Sequence, residues 1–258
     1  MSVSERGLTG RPIRDNRDIP LVVEASKHLE GASIMEPENT VAVATAANPV
    51  RVRGDLDPAL SRWMWLVKWI LAIPHAIILV FLYIAYVIVS VVAFFAILIT
   101  GNYPRALFDF NVGVMRWGWR VGFYAYSVLG TDRYPPFSLQ SDPDYPADLE
   151  IDYPEQLSRG LVLVKWWLLA IPHYLIVGAI FSAGMGGKYG WGGFTLANVL
   201  VLVAVVALLF TAVYPKAVFD FLLGLHRWSI RVGAYASLMR DEYPPFRLDQ
   251  GAREPENN

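Results

Sequence analysis

Two histidines stand in almost identical apolar segments: His75 ends the stretch VKWILAIPH, and His173 ends VKWWLLAIPH. Histidine is uncommon in hydrocarbon, so two of them at matching places are candidates for cofactor binding. Across a pseudo-twofold axis the imidazoles could bind one haem iron, or each could bind the magnesium of a chlorophyll-type pigment. The structural alternative is a hydrogen bond to a carbonyl that the neighbouring proline leaves free. We favour the structural role and predict no cofactor, because a lone helix histidine is more often hydrogen-bonded than metal-bound. Proton handling and a polar contact between helices are the remaining alternatives.

Each histidine follows a lysine, but at a different distance. Lys68 and His75 are seven residues apart and share one face of a regular helix, whereas Lys165 and His173 are eight apart and diverge by roughly 80°. The same lysine–histidine couple is therefore not expected in both segments, unless a π-bulge absorbs the additional tryptophan. We predict two separate features: a lysine at the membrane interface, and a proline kink capped by a histidine.

A stripe of one aspartate and two arginines also occurs twice. Its members are Asp109, Arg116 and Arg120 in one place and Asp220, Arg227 and Arg231 in the other. At about 100° per residue each set falls on one helix face. The arginines could hold lipid phosphates, so the stripes, with Lys68 and Lys165, are candidates for lipid or interface contact. Alternatively the arginines extend along apolar surface towards water while Asp109 pairs with Arg116 or a neighbouring helix. We favour this structural interpretation.

No enzyme motif is present. The chain contains no glycine-rich phosphate loop, no serine elbow, no His-Glu-x-x-His and no plausible cluster of metal ligands. His226, near Asp220, could act as a base, but Met115 stands at the matching place of the other stripe, so only one copy could use it. We therefore predict a protein that is not an enzyme, with no catalytic residue and no metal site.

The composition is typical of a membrane protein. Hydrophobic residues make up 55% of the 258 residues and aromatic residues 14%. The run from Ile70 to Ile99 carries no formal charge, and a membrane span needs only about twenty residues. A formal net charge of −1 gives no general attraction to nucleic acid, so we expect no nucleic-acid partner. The chain contains no cysteine, which excludes disulfides and thiolate metal sites.

An internal duplication organises the chain. Residues 49–137 align with residues 146–246, and both copies close with Tyr-Pro-Pro-Phe. The second copy alone contains a glycine-rich insertion, residues 184–193, which belongs in a connection between helices. Because that insertion separates two apolar stretches, we expect the matching stretch of the first copy, residues 63–101, to form a tight hairpin that turns near residues 83–86.

The fold class predicted is an all-α membrane protein of two parallel pseudo-symmetric repeats. Each repeat is expected to form a transmembrane hairpin followed by an amphipathic interfacial helix that begins at a Tyr-Pro pair; a third span is the alternative. Basic residues precede both hairpins: Arg51, Arg53, Arg62 and Lys68 in the first, and Arg159 and Lys165 in the second. The positive-inside rule then predicts a multi-pass protein with cytoplasmic termini.

Four segments divide the chain. We predict a flexible N-terminal tail (1–48), a first membrane repeat (49–139), a second membrane repeat (140–248) and a C-terminal tail (249–258). VRVRGDLD from Val50 and DLEIDY from Asp148 read as strands, to which FSL or FRL after each Tyr-Pro-Pro could add, so a minor cytoplasmic β element is expected.

The ordered motifs resemble a known family. Leu-Ser-Arg, Val-Lys-Trp, Ala-Ile-Pro-His, Tyr-Pro-x-x-x-Phe-Asp-Phe, Arg-Trp-x-x-Arg and Tyr-Pro-Pro-Phe recur in this order in both copies, over about residues 49–248. Together they are similar to the bacterial membrane family catalogued as domain of unknown function 4389, in two tandem copies. The resemblance implies an integral protein of the bacterial inner membrane. It implies no activity, substrate or catalytic residue.

These observations favour a non-enzymatic scaffold or accessory subunit that contacts membrane lipids and other membrane-protein subunits. A small transporter or channel is the main alternative, with a path between the repeats lined by His75, His173, Asp109 and Asp220. A haem- or pigment-binding subunit that uses His75 and His173 is the third hypothesis.

Overall fold

The computed structural model describes residues 48–181 and 195–248. The predicted C-terminal tail, the glycine-rich insertion and all but the last residue of the predicted N-terminal tail lie outside the described residues. Within the described part the chain is mostly helical and contains a two-stranded sheet, which confirms the predicted helical class and its minor β element.

The first repeat contains one strand and three helices. They are β1 (Val50–Gly54), α1 (Met64–Leu71), α2 (Ile73–Thr100) and α3 (Arg105–Ala125). A proline occupies the first turn of α2, where its missing N–H leaves no bond unmade. The helix ends at Gly101, which adopts the left-handed φ of 79° and donates its N–H to the carbonyl of Ile97.

The predicted hairpin in the first repeat is wrong. α2 runs through Tyr83 and Tyr86, where the turn was expected, as one helix of 28 residues. Between His75 and Thr100 the sequence has neither glycine nor proline, so nothing interrupts the helical hydrogen bonds. The chain instead breaks at Ala72, just before the proline.

The second repeat follows the same order with one interruption. Its elements are β2 (Ala147–Ile151), α4 (Arg159–Val164), a π-helical turn (Lys165–Leu169), α5 (Ile171–Phe181), α6 (Leu196–Thr211) and α7 (Lys216–Ala236). In the alignment of the repeats, α5 matches the first half of α2 and α6 matches the second half. The glycine-rich insertion therefore falls where the first repeat is helical. It does not indicate a turn in the first repeat.

α3 lies between α2 and the sheet. On one face Asn111 donates to the hydroxyl of Ser90 on α2 at 3.0 Å, and on the opposite face Arg116 Nε donates to the carbonyl of Leu149 on β2 at 2.8 Å. Most residues of α3 are buried as a result. The helix is amphipathic as predicted, but protein covers both of its faces.

The two strands link the repeats. β1 pairs antiparallel with β2, with Val52 opposite Leu149. Arg116 of the first repeat binds Leu149 of the second, and Arg227 of the second repeat donates to the carbonyl of Val52 in the first at 2.9 Å. Each repeat therefore supports the strand of the other. FSL and FRL form no strand in the described part of the chain.

The return helices α3 and α7 run antiparallel where they meet. Trp119 contacts His226 with ring centroids 5.8 Å apart, and Phe123, further along α3, contacts Phe219, earlier on α7, at 6.1 Å. Helices that lie across a pseudo-twofold axis meet in this antiparallel way, so the parallel arrangement of the repeats in the membrane stays a prediction.

Several of the charges on which the predicted orientation rests are paired within the fold. Lys68 and Lys165 are buried in ion pairs, and Arg51 pairs with Glu150 and Asp152 across the sheet. Residues that are neutralised inside the fold do not report which side of a membrane a helix starts from.

Two helices are long and apolar enough to cross a membrane, Ile73–Thr100 and the continuous helical stretch Arg159–Phe181. In their most apolar windows only 11% and 22% of the residues are buried. α6 is a shorter apolar helix. The buried core instead centres on α3, α7 and the sheet.

Candidate functional site

The start of the first long helix holds a buried ion pair. Lys68 Nζ lies 2.8 Å from the carboxylate of Asp132 and donates to the carbonyl of Thr131 at 2.6 Å. The ammonium also lies 5.3 Å from the ring centroid of Tyr124. The other oxygen of Asp132 accepts the N–H of Ser61 at 2.6 Å. Burial lowers the pKa of Lys68, and the carboxylate opposes part of that shift.

The second repeat reproduces this pair. Lys165 Nζ lies 2.6 Å from the carboxylate of Asp241, whose other oxygen accepts the N–H of Ser158 at 2.6 Å. Tyr235 takes the place of Tyr124, 5.6 Å from the ammonium. The ion pair therefore belongs to the duplicated unit.

The π-helical turn Lys165–Leu169 explains how both copies place lysine and histidine alike. This π-bulge absorbs the additional tryptophan of the second copy. The expectation that Lys165 and His173 diverge is wrong for this reason: both side chains are buried in contacts equivalent to those of Lys68 and His75.

Each histidine is enclosed by aromatic rings. His75 stacks on Phe137, with centroids 3.9 Å apart, and His173 stacks on Phe246 at 4.3 Å. The Tyr-Pro-Pro-Phe segment that closes each repeat thus packs on the start of that repeat's own long helix. A tyrosine of the same segment contacts each imidazole as well, Tyr134 at 4.9 Å and Tyr243 at 4.6 Å.

The histidine hydrogen bonds of the two copies are complementary. Trp117 Nε1 donates to Nδ1 of His75 at 3.0 Å, which assigns the proton to Nε2. His173 Nε2 lies 3.0 Å from the carbonyl of Pro244, which suits the same neutral tautomer. Trp228 stands opposite His173, as Trp117 stands opposite His75. A neutral imidazole can thus link the return helix to the closing segment.

We name these sets the first cluster (Lys68, His75, Trp117, Asp132 and Phe137) and the second cluster (Lys165, His173, Trp228, Asp241 and Phe246). In the first cluster the imidazole lone pair is already occupied by Trp117, and both histidines are fully buried. This geometry fits the predicted structural role of the histidines, although the carbonyl that His173 meets belongs to the closing segment instead of its own helix.

The arginines of the two stripes lie inside the fold. Arg116 and Arg120 each lie 3.1 Å from the carboxylate of Asp148, and Arg120 has no exposed surface. Burial lowers the pKa of Arg116, while Asp148 opposes the shift. Arg227 and Arg231 are also buried. Burial of these arginines and of Lys68 and Lys165 disfavours their contact with lipid head groups.

The two aspartates of the stripes pair with residues one turn earlier. Asp109 bonds to Arg105 at 3.0 Å and Asp220 to Lys216 at 2.7 Å. His226 lies instead against Phe181 and hydrogen-bonds the carbonyl of Leu222. The structure does not assemble Asp109, Asp220 and His226 into one site. Among the described residues, no group of three His, Asp or Glu side chains could hold a metal ion.

Sequence reasoning missed the aspartates of the clusters. Asp132 and Asp241 each stand two residues before the tyrosine of Tyr-Pro-Pro-Phe, so the repeated pattern is Asp-x-Tyr-Pro-Pro-Phe. That shared position was the available signal. Two buried lysines in matching segments require two matching carboxylates, and this pattern supplies them.

The comparison with protein families agrees with these repeated contacts. The model described as domain of unknown function (DUF4389) matches residues 62–138 and 192–247, which together make up more than half of the chain. The chain belongs to this family. The first match contains the whole first cluster, and the second contains Trp228, Asp241 and Phe246. No curated protein and no solved structure matches the chain.

Proposed function

We propose that this DUF4389 protein is a non-enzymatic integral membrane protein, a scaffold or accessory subunit of a complex in the bacterial inner membrane. The observation that carries the proposal is the apolar surface, by which we mean the exposed side chains of α2, α5 and α6. Along its whole length α2 exposes large apolar side chains, among them Ile73, Phe81, Val87 and Ile99, each more than half exposed.

The burial of α2 supports a lipid environment. The core helix of a soluble protein would be mostly buried, whereas only 11% of the most apolar window of α2 is covered. Its few covered residues, such as Leu79, Ala93 and Ile97, form the narrow stripe that meets the rest of the fold. Monomeric soluble proteins rarely expose an apolar surface of this extent, so lipid or another membrane subunit must cover it.

The polar groups of the fold support a structural role. The ion pairs Lys68–Asp132 and Lys165–Asp241 and the Asp148 group are buried and hydrogen-bonded within the chain. Reactive groups in enzymes need access to a substrate, and groups that conduct ions need a path. Because these buried groups are bonded to one another, they favour a different role, which is to hold the Tyr-Pro-Pro-Phe segments against the helices.

The test is purification from native membranes in a mild detergent, followed by mass spectrometry of the intact complex. We expect stoichiometric companion membrane subunits together with retained lipid. The variant Val87→Arg places a charge on the apolar surface. Purified in the same way, it should lose the companion subunits or no longer be found in the membrane fraction. The control variant Glu150→Arg, on the sheet, should stay in the membrane fraction and keep its companion subunits. A wild-type monomer without lipid or companion would overturn the proposal.

A further inference from the structure

The position of the sheet along the long helix restricts how the protein can sit in a membrane. α3 meets the middle of α2: Asn111 contacts Ser90, and Met115 accepts from the hydroxyl of Tyr86. Directly across α3, Arg116 holds the sheet through the carbonyl of Leu149. Leu149 of the sheet is therefore level with the middle of α2, on the far side of α3.

The outer face of the sheet is charged. Arg51, Glu150 and Asp152 form a ladder of ion pairs whose side chains are 40%, 57% and 48% exposed. If α2 crossed the bilayer upright, this ladder would lie within the hydrocarbon, between the level of Leu149 near the midplane and the end of α2, where Tyr153 donates to the carbonyl of Tyr103. Exposed charges there are costly, and non-helical backbone is tolerated only where protein or water covers it.

The apolar surface and the charged ladder lie on opposite sides of the fold. From Ile73 to Thr100 no residue carries a charge, and α5 and α6 carry none either. Exposed tryptophans, Trp63 and Trp69 in the first repeat and Trp166 and Trp167 in the second, stand near the starts of the long helices, which suits the water–lipid boundary. At about 1.5 Å per residue α2 is about 42 Å long, which exceeds the roughly 30 Å hydrocarbon core.

We infer that the long helices lie along the membrane, with the apolar surface in the acyl chains of one leaflet and the sheet in water on the same side. This inference rests on the proposed function and makes it more specific, since the partner of the apolar surface is lipid. Both ends of α2 then face the same compartment, and the repeats need not cross the bilayer.

Single cysteines test this directly, because the natural chain has none. Arg62→Cys marks the start of α1, which leads into α2, and Asn102→Cys marks the end of α2. Glu150→Cys marks the sheet and Val87→Cys marks the apolar surface; all four positions are exposed. Native membrane vesicles of both orientations are treated with a membrane-impermeant maleimide. We expect the first three to react in the same vesicle orientation, and Val87→Cys to react only after detergent is added.

The outcomes separate the inference from the proposed function. Reaction of Arg62→Cys and Asn102→Cys in opposite vesicle orientations, with Val87→Cys still protected, would show a crossing helix; that result overturns the inference and leaves the membrane proposal intact. If Val87→Cys reacts as fast as Glu150→Cys without detergent, the apolar surface is not in lipid, and both fail.

Discussion

The lysines of the two clusters are buried because each has an aspartate as partner. Lys68 and Asp132 are 64 residues apart in the sequence, and Lys165 and Asp241 are 76 apart. Helical periodicity relates residues a few positions apart, so it can predict how the lysine and the histidine of each segment are arranged on a helix. It cannot predict the aspartate that the distant closing segment places beside the lysine. The partner of Arg116 and Arg120 was missed for the same reason: Asp148 lies on a strand of the other repeat.

Replacing one member of a cluster ion pair should be costly. Asp132→Asn leaves the ammonium of Lys68 buried without its counter-charge, and we expect a loss of about 3–5 kcal/mol in the free energy of unfolding, measured by denaturant titration in detergent. The matched control is Asp109→Asn, which breaks the exposed pair with Arg105 and should cost less than about 1 kcal/mol. Equal losses in the two variants would contradict the structural role of the cluster.

His226 should make stability depend on pH. Burial lowers the pKa of His226 to about 4, below its ordinary value of 6.5. Between these values the unfolded chain binds a proton that the folded chain does not, so stability should fall as the pH drops from 6.5 to 4, by up to about 3 kcal/mol. Melting curves of wild type and His226→Met, which carries the residue of the first repeat, should diverge over this window. Parallel curves would contradict it.

At the scale of elements, the sequence predicted the repeats, the strands and the position of α3 and α7. It did not predict that α2 is continuous. The insertion in the second repeat suggested a turn, but the first repeat has no residue that would make one between His75 and Thr100. The absence of a breaker in the shorter copy was the better guide, because a helix continues until a residue stops it.

The π-helical turn gives an element-scale prediction. Deleting one of the adjacent tryptophans Trp166 and Trp167 restores the spacing of the first repeat, so Lys165 and His173 should stay in place on a regular helix with a stability change within about 1 kcal/mol. Deleting Trp69 from the first repeat is the matched control. It should rotate Lys68 by about 100° away from Asp132 and cost about 3–5 kcal/mol. Thermal unfolding in detergent compares the two, and the reverse order would refute the equivalence of the copies.

At the scale of the whole molecule, each repeat binds the strand of the other repeat. Arg116 supports the strand of the second repeat and Arg227 that of the first, so neither repeat is complete alone. A count of basic residues does not report how the repeats are oriented in a membrane, because burial removes Lys68 and Lys165 from that count. The apolar surface, by contrast, agrees with the composition, since 55% of the residues are hydrophobic and α2, α5 and α6 contain no Asp, Glu, Lys or Arg.

The most direct test of the account is whether the purified protein, freed of detergent, enters lipid. Reconstitution into liposomes of bacterial lipids, flotation on a density gradient and an alkaline carbonate wash measure this in one experiment. We expect the wild-type chain to float with the liposomes and resist the wash, and Val87→Arg to lose much of this association because a charge within hydrocarbon costs about 2.5–3.5 kcal/mol. A wild-type chain that remains soluble and monodisperse at the bottom of the gradient would contradict the central claim that the exposed long helices form a membrane surface.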